Sequence, residues 1–464
     1  MSDLLAQLAH RIGDTHVLTD PQTIQPYLTD WRKRYRGKAL AVLRPASTAE
    51  VAAIVRLCHD AGVSMVPQGG NTSLCGASVP DTLGNAVVIS LSRLRQIRQV
   101  DPVNQTLTAE AGCTLVEVQV AAAQQQRLFP LSLASEGSCQ IGGNLSTNAG
   151  GVQVLRYGNM RELTLGLEVV LPDGQIWDGL RGLRKDNTGY DLKHCFIGAE
   201  GTLGIITAAT LKLFPRPLQQ CTAWVALSGP EDALQLLGQL QQRFSDRLTA
   251  FELVSDVCLQ LVTQHIPGSR SPLEAPSPWY ALLELSDGAP DDRLAGDLLA
   301  TLAESPVQDA AIAQSEQQAR ALWLLRESIS EAQRLDGPSI KHDIALPVSA
   351  IPAFLQDTAA LLQHAFPGVR LQVFGHLGDG NLHYNLSHTR PGNVDLFDDE
   401  AQANRIVYDQ VAHYRGSISA EHGIGQLKRD TLPHYKSALE LKLMHQLKAS
   451  LDPKGLMNPG KVLV

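Results

Sequence analysis

Apolar and polar positions form short alternating blocks near the start of the chain, and they predict a helix, a strand and a glycine-rich loop in that order. The pattern Ser-x-x-Glu at residues 47–50 is a capping box, and the apolar residues behind it repeat at helical spacing until Gly62. Residues 63–67 then predict a strand, and residues 68–73 predict a loop. A Rossmann or P-loop site needs a strand, a glycine loop and then a helix, so this order gives no support to nicotinamide binding of the usual kind.

Two more tracts of small residues follow, at residues 135–151 and 197–207. Residues without bulky side chains let the backbone approach a ligand closely and donate peptide N–H groups to anionic oxygens. A flexible linker is the alternative interpretation of the first tract. Its interleaved Ile141 and Leu145, with Val152 just beyond, favour a ligand-binding loop, because a linker would not be expected to carry them.

The pattern changes after Pro215-Arg216-Pro217, where helical stretches begin to alternate with apolar strands. Residues 231–244 and 311–335 have helical spacing, and residues 279–285 predict a strand. This change predicts a domain boundary near Phe214. The tail from residue 420 onward starts with a short polar motif and continues as helical sequence.

A turn flanked by two histidines lies in the second half of the chain. The sequence Gly-Asp-Gly-Asn at residues 378–381 separates the apolar runs 371–374 and 382–386, so this segment predicts a β-hairpin. Such a hairpin would bring His376 and His383 together across its strands.

A second pair, Glu421-His422, follows further along the chain and suggests a metal site. Two imidazoles and one carboxylate are ligands that zinc prefers, and three protein ligands with one open position are typical of catalytic zinc. A pair of histidines alone is more often structural, and the second pair shifts the balance toward a metal. Adjacent residues on a strand face opposite sides, so one of Glu421 and His422 can bind the metal while the other faces a substrate.

Composition narrows the classes of function. With 464 residues, 44% hydrophobic and 19% charged, the chain is long enough for two or three globular domains. The net charge of −8, with basic residues scattered, argues against nucleic acid or an anionic membrane as the main partner.

Seven dispersed cysteines without a Cys-x-x-Cys spacing indicate a reducing compartment. Because no secretory signal or membrane-spanning run is apparent, we expect a soluble cytoplasmic protein.

Several motifs together resemble a known flavoprotein superfamily. The segments at residues 67–71, 137–151, 183–192 and 198–204 are similar to the FAD domain of the vanillyl-alcohol-oxidase/PCMH flavoproteins. The histidine hairpin, the Glu421-His422 pair and Met457-Asn458-Pro459-Gly460-Lys461 are similar to the FAD-linked oxidase C-terminal domain. The resemblance implies an α+β fold class, with a PCMH-type two-subdomain FAD-binding domain at residues 1–215. An α+β substrate (cap) domain with an antiparallel sheet would follow at 216–419, and a C-terminal helical segment at 420–464 would return to the flavin.

The same resemblance implies which residues contact the FAD. They are Pro67, Gly69, Gly70, Asn71, Thr72, Ser73, Gly137, Ser138, Gly142, Gly143, Asn144, Thr147, Gly150, Ile206 and Asn458. Some relatives bind the flavin covalently through a histidine in or near the first loop. Because this chain has no histidine between Pro67 and Gly151, we expect non-covalent, dissociable FAD.

The resemblance also implies a chemistry for the histidine motifs. It assigns His376, His383 and Glu421 to Zn²⁺ or another divalent ion, and His422 to proton abstraction. A metal that binds a substrate hydroxyl lowers the pKa of that hydroxyl, as zinc lowers the pKa of bound water from 15.7 to about 7. Once His422 takes the hydroxyl proton, the C2 hydride can pass to flavin N5 and leave a 2-oxo acid.

Within the superfamily the resemblance is greatest to the enzymes that oxidise D-2-hydroxyglutarate. Those enzymes hold the distal carboxylate with an arginine, a threonine and a lysine, which correspond here to Arg326, Ser330 and Lys341. Ser330 departs from the threonine but keeps a hydroxyl. Arg326 and Ser330 are four apart on a predicted helix and share one face. Alternatively, Arg326 forms an ordinary surface ion pair with Glu327 or Asp343.

Two asparagines beside His383, Asn381 and Asn385, resemble further pocket residues of the family, and we include Asn385 among the substrate contacts with His422. Turn and strand polarity would explain both asparagines equally well.

Two other functions stay open. Oxidation of D-lactate or glycolate is the second hypothesis. A substrate with one carboxylate needs no such lysine, so Lys341 favours the dicarboxylate over this alternative. A non-catalytic FAD-binding subunit is the third. An enzyme of this kind would need a redox partner, such as an electron-transfer flavoprotein or a quinone. The sequence predicts no nucleic-acid partner and no membrane span, and it leaves a homodimer open.

Overall fold

A computed structural model describes residues 2–289, 293–388 and 395–464. The strands within these ranges, in chain order, are β1 (Val17–Leu18), β2 (Ala41–Leu43), β3 (Ser64–Gln68), β4 (Ala86–Ser90), β5 (Ile97–Asp101), β6 (Thr106–Glu110), β7 (Arg127–Leu128), β8 (Thr164–Val170), β9 (Ile176–Gly179), β10 (Ile205–Lys212), β11 (Phe214–Pro215), β12 (Gln219–Leu227), β13 (Leu248–Ser255), β14 (Trp279–Asp287), β15 (Asp309–Ile312), β16 (Asp343–Ala345), β17 (Val369–Gly375) and β18 (Asn381–His388).

The α-helices of the same ranges are α1 (Ser2–Ile12), α2 (Pro21–Ile24), α3 (Thr48–Ala61), α4 (Leu115–Gln124), α5 (Ile141–Ser146), α6 (Val154–Tyr157), α7 (Met160–Leu163), α8 (Lys193–Phe196), α9 (Pro230–Phe244), α10 (Asp256–His265), α11 (Arg293–Ala303), α12 (Glu316–Glu327), α13 (Ile329–Asp336), α14 (Ile351–Ala365), α15 (Asp395–Asp398), α16 (Glu400–His413), α17 (Leu432–Tyr435) and α18 (Ala438–Leu451). Within the described residues, none of these helices has the length and apolar content that crossing a membrane requires.

The chain divides into two compact units. Unit 1 consists of the residues up to Gly150, of Gly158–Arg216 and of Glu421–Val464. Unit 2 consists of Gly151–Tyr157 and Pro217–Ala420. Unit 1 is therefore assembled from three separate stretches of sequence.

Unit 1 contains two main sheets. The first has the strand order β1-β2-β4-β3, with β2, β4 and β3 parallel, and the second is antiparallel with the order β5-β6-β10-β8-β9. Parallel strands need a crossover connection, and α3 supplies it between β2 and β3. Its residues Val51, Ile54 and Cys58 lie in one buried cluster with Met65 and Val87.

The end of the chain completes the first sheet of unit 1. The Met65 N–H donates to the Leu456 carbonyl at 2.8 Å, and the Asn458 N–H donates to the Met65 carbonyl at 2.7 Å. Because β3 is the edge strand of this sheet, these bonds satisfy backbone groups that would otherwise be unpaired.

Unit 2 is built on a seven-stranded sheet with the order β15-β12-β14-β13-β17-β18-β16, in which all the described strand pairs are antiparallel. Strand β13 lies at its centre, and all eight of its residues are buried. Trp224, Tyr280 and Phe374 form a core with Ile329 of α13. The α+β fold class predicted from the sequence is confirmed.

Most elements predicted from the apolar pattern are present, and two predictions were wrong in detail. The helix predicted over residues 311–335 begins only at Glu316, because residues 309–312 form strand β15 against β12 and the Ser315 hydroxyl caps the helix start. It is also interrupted at Ser328, so Arg326 and Ser330 lie on two successive helices. Glu421 and His422 occupy a bend rather than a strand.

Candidate active site

The two histidines of the predicted hairpin lie at the ends of a tight turn in unit 2. Strands β17 and β18 pair antiparallel with Phe374 opposite His383, and a single 3₁₀ turn at Leu377–Asp379 connects them. Gly380 has a φ of +86°, and a Cβ there would lie 2.2 Å from the Leu346 carbonyl oxygen. The turn therefore requires glycine at this position. It places the His376 and His383 ring centroids 6.2 Å apart.

A buried carboxylate orients His376. Leu253 of β13 is opposite Gly375 of β17, and this register puts the neighbouring residues Glu252 and His376 side by side. His376 Nδ1 lies 2.5 Å from Glu252 Oε1. An ionised carboxylate can only accept, so Nδ1 is the donor, and in the neutral ring Nε2 is then the nitrogen with the lone pair. This tautomer is the one that can bind a metal through Nε2, and a carboxylate behind the ring is typical of metal-binding histidines.

The other oxygen of Glu252 accepts a hydrogen bond from Arg326 Nε at 2.6 Å. Burial by itself would raise the pKa of Glu252, whose side chain is 0% exposed, but Arg326 and His376 outweigh it and lower that pKa to about 2. One carboxylate thus contacts both a predicted metal ligand and a predicted substrate ligand.

Arg326 is the only predicted carboxylate-binding residue that is buried, with 8% of its surface exposed. Its guanidinium lies 4.8 Å from the centre of the Phe374 ring, and the Phe374 and His383 ring centroids are 4.8 Å apart. The two Nη groups make no hydrogen bond to the described residues, so they remain available to a ligand. The alternative surface pairs with Glu327 or Asp343 are not formed within the described part of the chain.

The remaining predicted substrate residues of unit 2 differ in exposure. Ser330 and Lys341 are exposed. The pKa of Glu331, next to Ser330, is lowered mainly by its hydrogen bond with Arg334 and to a lesser extent by the charge of Lys341. Lys341 therefore lies near the start of α13, as Ser330 does.

Asn385 is buried and engaged within the protein. Its Oδ1 accepts the His342 N–H at 3.1 Å, and its Nδ2 donates to Gln333 Oε1 at 3.0 Å. Asn381 donates to Asp343 Oδ1 and to the Ile344 carbonyl. Both asparagines therefore tie β18 to its neighbours.

Glu421 and His422 begin the last stretch of unit 1, and the turn behind them is fixed by a second buried carboxylate. Glu200 Oε1 accepts the Ile424 N–H at 2.7 Å, and its Oε2 accepts the Gly425 N–H at 2.8 Å. Burial raises the pKa of Glu200 to about 7, although these two bonds and the charges of Lys428 and Lys461 act in the opposite direction.

All predicted FAD residues lie in unit 1, and the first two glycine-rich tracts meet there. A Cβ on Gly70 would lie 2.1 Å from the Ser138 carbonyl oxygen, so glycine permits this close approach. The Asn71 side chain fixes the first loop: it donates to the Thr29 carbonyl at 2.9 Å and accepts the Ser78 hydroxyl at 2.7 Å. Asn71 is thus engaged within the protein.

Two buried amide oxygens in unit 1 have no partner in the described part of the chain: Gln140 Oε1 and Asn458 Oδ1. Leaving such an oxygen unsatisfied costs about 1–3 kcal/mol. Gln140 lies beside Gly69, and Gly143 has open space where a side chain would be. The Asn458 amide donates to the Ala77 and Glu200 carbonyls, so it stands where three loops meet. Unpaired amide oxygens beside open space suit a ligand that carries N–H and O–H donors, and FAD carries both.

Several of the other predicted FAD residues have packing roles as well. Gly142 packs against Ala111, Asn144 contacts the Cys139 thiol, and Thr147 donates to the Gly143 carbonyl. Ile206 is buried in β10, directly after the third tract.

Glu252, Gln140 and Glu200 were not singled out from the sequence. A signal existed for Glu252, because it is the only charged residue in the apolar run 248–255, and a buried charge needs a partner. Its partners lie 74 and 124 residues away in the sequence, so the contacts themselves were not predictable.

Comparisons with known proteins bear on this site. Residues 216–462 match the family model of FAD-linked oxidases, C-terminal domain, and residues 39–179 match an FAD-binding domain. The chain is 40% identical to mitochondrial D-2-hydroxyglutarate dehydrogenase of Bos taurus, over 99% of this chain and 83% of that protein. It is 39% identical to D-2-hydroxyglutarate dehydrogenase of Xanthomonas citri pv. viticola, over 99% of this chain and 96% of that one.

A putative mitochondrial D-lactate dehydrogenase of Schizosaccharomyces pombe is also similar, with 37% identity over 96% of this chain and 85% of its own length. Among solved structures, p-cresol methylhydroxylase with substrate bound has a TM-score of 0.78 and 16% identity, and the match covers 99% of this chain and 96% of that one. At that identity the likeness concerns the fold alone. It confirms the predicted PCMH-type fold.

Proposed function

Because this chain belongs to the family of FAD-linked oxidases, we propose that it is an FAD-dependent D-2-hydroxy-acid dehydrogenase that oxidises D-2-hydroxyglutarate to 2-oxoglutarate. The observation that carries the substrate class is the cluster of Arg326 with His376 and His383 in unit 2. A guanidinium with open Nη groups suits a carboxylate, and the imidazoles suit a metal.

For the domains, residues 1–215 bind FAD, residues 216–419 bind the substrate, and residues 420–464 contribute His422 and Asn458. The two unpaired amide oxygens and the open space at Gly143 support non-covalent FAD in unit 1. Bound FAD supplies a two-electron acceptor for the C2 hydrogen of the substrate and its bonding electrons.

For the metal, His376, His383 and Glu421 bind Zn²⁺ or another divalent ion, which supplies a Lewis acid. The carboxylate behind His376 supports this assignment.

Within the site, Arg326, Ser330 and Lys341 hold the carboxylates of the substrate, with Asn385 as a positioning residue for the strand that carries His383. His422 takes the proton from the C2 hydroxyl. An imidazole is suited to this step because its ordinary pKa lies near neutral pH.

The test is anaerobic mixing of the FAD-loaded protein with D-2-hydroxyglutarate, L-2-hydroxyglutarate, D-lactate and glycolate, while the absorbance of oxidised flavin is followed. We expect D-2-hydroxyglutarate to bleach the flavin fastest and its L-enantiomer to have no effect. Fast bleaching by D-lactate with none by D-2-hydroxyglutarate would support the second candidate, which the similarity to the S. pombe protein favours. Lack of bleaching by any of them would contradict the dehydrogenase assignment.

For the cellular context, we propose a cytoplasmic enzyme that passes electrons to an electron-transfer flavoprotein or a quinone, with a homodimer left to measurement. All seven cysteines are free thiols, which agrees with a reducing compartment. The bovine and S. pombe relatives are named mitochondrial, so cell fractionation is the test.

A further inference from the structure

We propose that Glu252 is a positioning residue that couples the metal site to the carboxylate-binding site, an inference that rests on the proposed function. Its two oxygens have separate tasks: Oε1 holds the His376 ring, and Oε2 holds the Arg326 guanidinium. Because one rigid group contacts both, the distance between a bound metal and a bound carboxylate is set by Glu252.

The placement of Glu252 makes it a rigid reference point. It lies on the central strand of the seven-stranded sheet, its side chain is completely buried, and both flanking residues pair with neighbouring strands. His376 and Arg326, in contrast, lie in a turn and near the end of α12. The carboxylate therefore fixes the positions of the His376 and Arg326 side chains relative to the rigid sheet.

An amide cannot replace this carboxylate. Both contacts of Glu252 are with N–H donors, and a glutamine offers one accepting oxygen and one donating NH₂ group. If the glutamine oxygen accepts from Arg326, its NH₂ group faces His376 Nδ1 and selects the tautomer with hydrogen on Nε2. That tautomer cannot bind a metal through Nε2. If the glutamine is reversed, its NH₂ group faces the Arg326 N–H and the guanidinium loses its anchor.

The experiment measures Zn²⁺ affinity of the FAD-loaded protein by competition with a chromophoric chelator, without substrate. We expect Glu252→Gln to weaken Zn²⁺ binding by about 10–100-fold, with FAD content unchanged. After Zn²⁺ saturation, the variant should show a raised KM for D-2-hydroxyglutarate. Glu252→Asp keeps the charge but shortens the side chain, and it should give an intermediate affinity.

Glu284→Gln is the matched control. Glu284 is a buried carboxylate on the adjacent strand β14, where it accepts the Trp323 indole N–H at 2.9 Å, and an amide oxygen can accept the same bond. We expect its Zn²⁺ affinity and KM to equal those of the wild type.

A measurement on the unsubstituted protein avoids dependence on folding of the variants. Histidine-selective ¹⁵N NMR of the metal-free protein, at a pH where the His376 ring is neutral and with His376→Asn for assignment, should show the ring proton on Nδ1. Protonation at Nε2 alone, or equal Zn²⁺ affinities of wild type and Glu252→Gln, would overturn the positioning role. If the wild type binds no Zn²⁺ while the NMR shows the expected tautomer, the proposed metal site is wrong and the orienting contact stands.

Discussion

Two buried carboxylates, Glu252 and Glu200, show how the surroundings of the same side chain can shift its pKa in opposite directions. Glu252 has a guanidinium and an imidazole in direct contact, so its pKa falls to about 2 despite its burial. Glu200 accepts two backbone N–H groups, and its nearest cations act at longer range, so burial dominates and its pKa rises to about 7. Glu252 is therefore ionised throughout the neutral range, and Glu200 titrates within it.

The Glu200 shift predicts a pH-dependent stability. The carboxyl pKa is about 7 in the folded protein and near its ordinary value of 4.5 in the unfolded chain, so the folded state binds more protons between these values. The contribution of this protonated carboxyl to the free energy of unfolding is complete below about pH 4.5. It is lost as the pH rises through 7, so the free energy of unfolding falls by about 3 kcal/mol.

To measure it, free energies of unfolding of wild type and Glu200→Gln are compared at pH 5 and pH 8. Because glutamine does not titrate, the difference between the two proteins should shift in favour of the variant at pH 8. A difference that stays constant with pH would contradict the assigned pKa.

Lys341 should decide which substrates the enzyme accepts. Replacing it with alanine removes the cation proposed for the distal carboxylate of a dicarboxylate, which a hydroxy acid with a single carboxylate lacks. We expect kcat/KM for D-2-hydroxyglutarate to fall at least tenfold, since hydrogen-bonded charge contacts contribute about 1.5–3 kcal/mol. Activity on D-lactate should change little. Arg334→Ala, which removes an exposed cation from the last turn of α13, is the control. Equal losses on both substrates would contradict the role of Lys341.

His422 should matter for the rate rather than for cofactor binding. Loss of a general base reduces rates by about 10²–10⁴-fold, so we expect His422→Ala to bleach its flavin that much more slowly with D-2-hydroxyglutarate. FAD and Zn²⁺ contents should match those of wild type. His445→Ala, on the exposed surface of α18, serves as control. A normal bleaching rate in His422→Ala would assign the proton to another residue.

At the scale of elements, the sequence was sufficient to predict the hairpin but not the residues that contact it from neighbouring strands. Apolar runs on either side of Gly-Asp-Gly-Asn predicted β17, β18 and the proximity of His376 and His383, because turn chemistry and strand alternation are local properties. The contact with Glu252 depends on which strand lies beside β17, and sheet order is a long-range property. The same reason explains why Gln140 and Glu200 were missed.

The turn of this hairpin gives a prediction of its own. Gly380→Ala places a Cβ at positive φ and within 2.2 Å of a backbone oxygen, so we expect destabilisation well above 1 kcal/mol and weaker Zn²⁺ binding. Gly238→Ala, in the exposed middle of α9 with no atom within 4 Å of the added group, should instead stabilise the protein by up to about 1 kcal/mol. Thermal denaturation of both variants measures the contrast, and similar melting temperatures would argue against strain at Gly380.

At the scale of the molecule, the proposed cofactors depend on different units. All predicted FAD residues lie in unit 1, whereas two of the three proposed metal ligands lie in unit 2. We therefore expect a chelator to remove the metal and abolish substrate-dependent bleaching while the flavin spectrum and FAD content persist. Addition of Zn²⁺ should restore bleaching. Release of FAD together with the metal would show that the two sites are not independent.

The three-part composition of unit 1 has a consequence for biosynthesis. The edge of β3 is completed by residues 456–458, and Asn458 joins loops that were translated about 260 and 380 residues earlier. Domains generally fold as their residues leave the ribosome. Almost all of unit 2 comes from one uninterrupted stretch of sequence, so unit 2 can fold before residues 456–458 have been added to unit 1. Completion of unit 1 must then wait until residues 456–458 have been synthesised, and a polypeptide terminated before them would accumulate as a colourless protein.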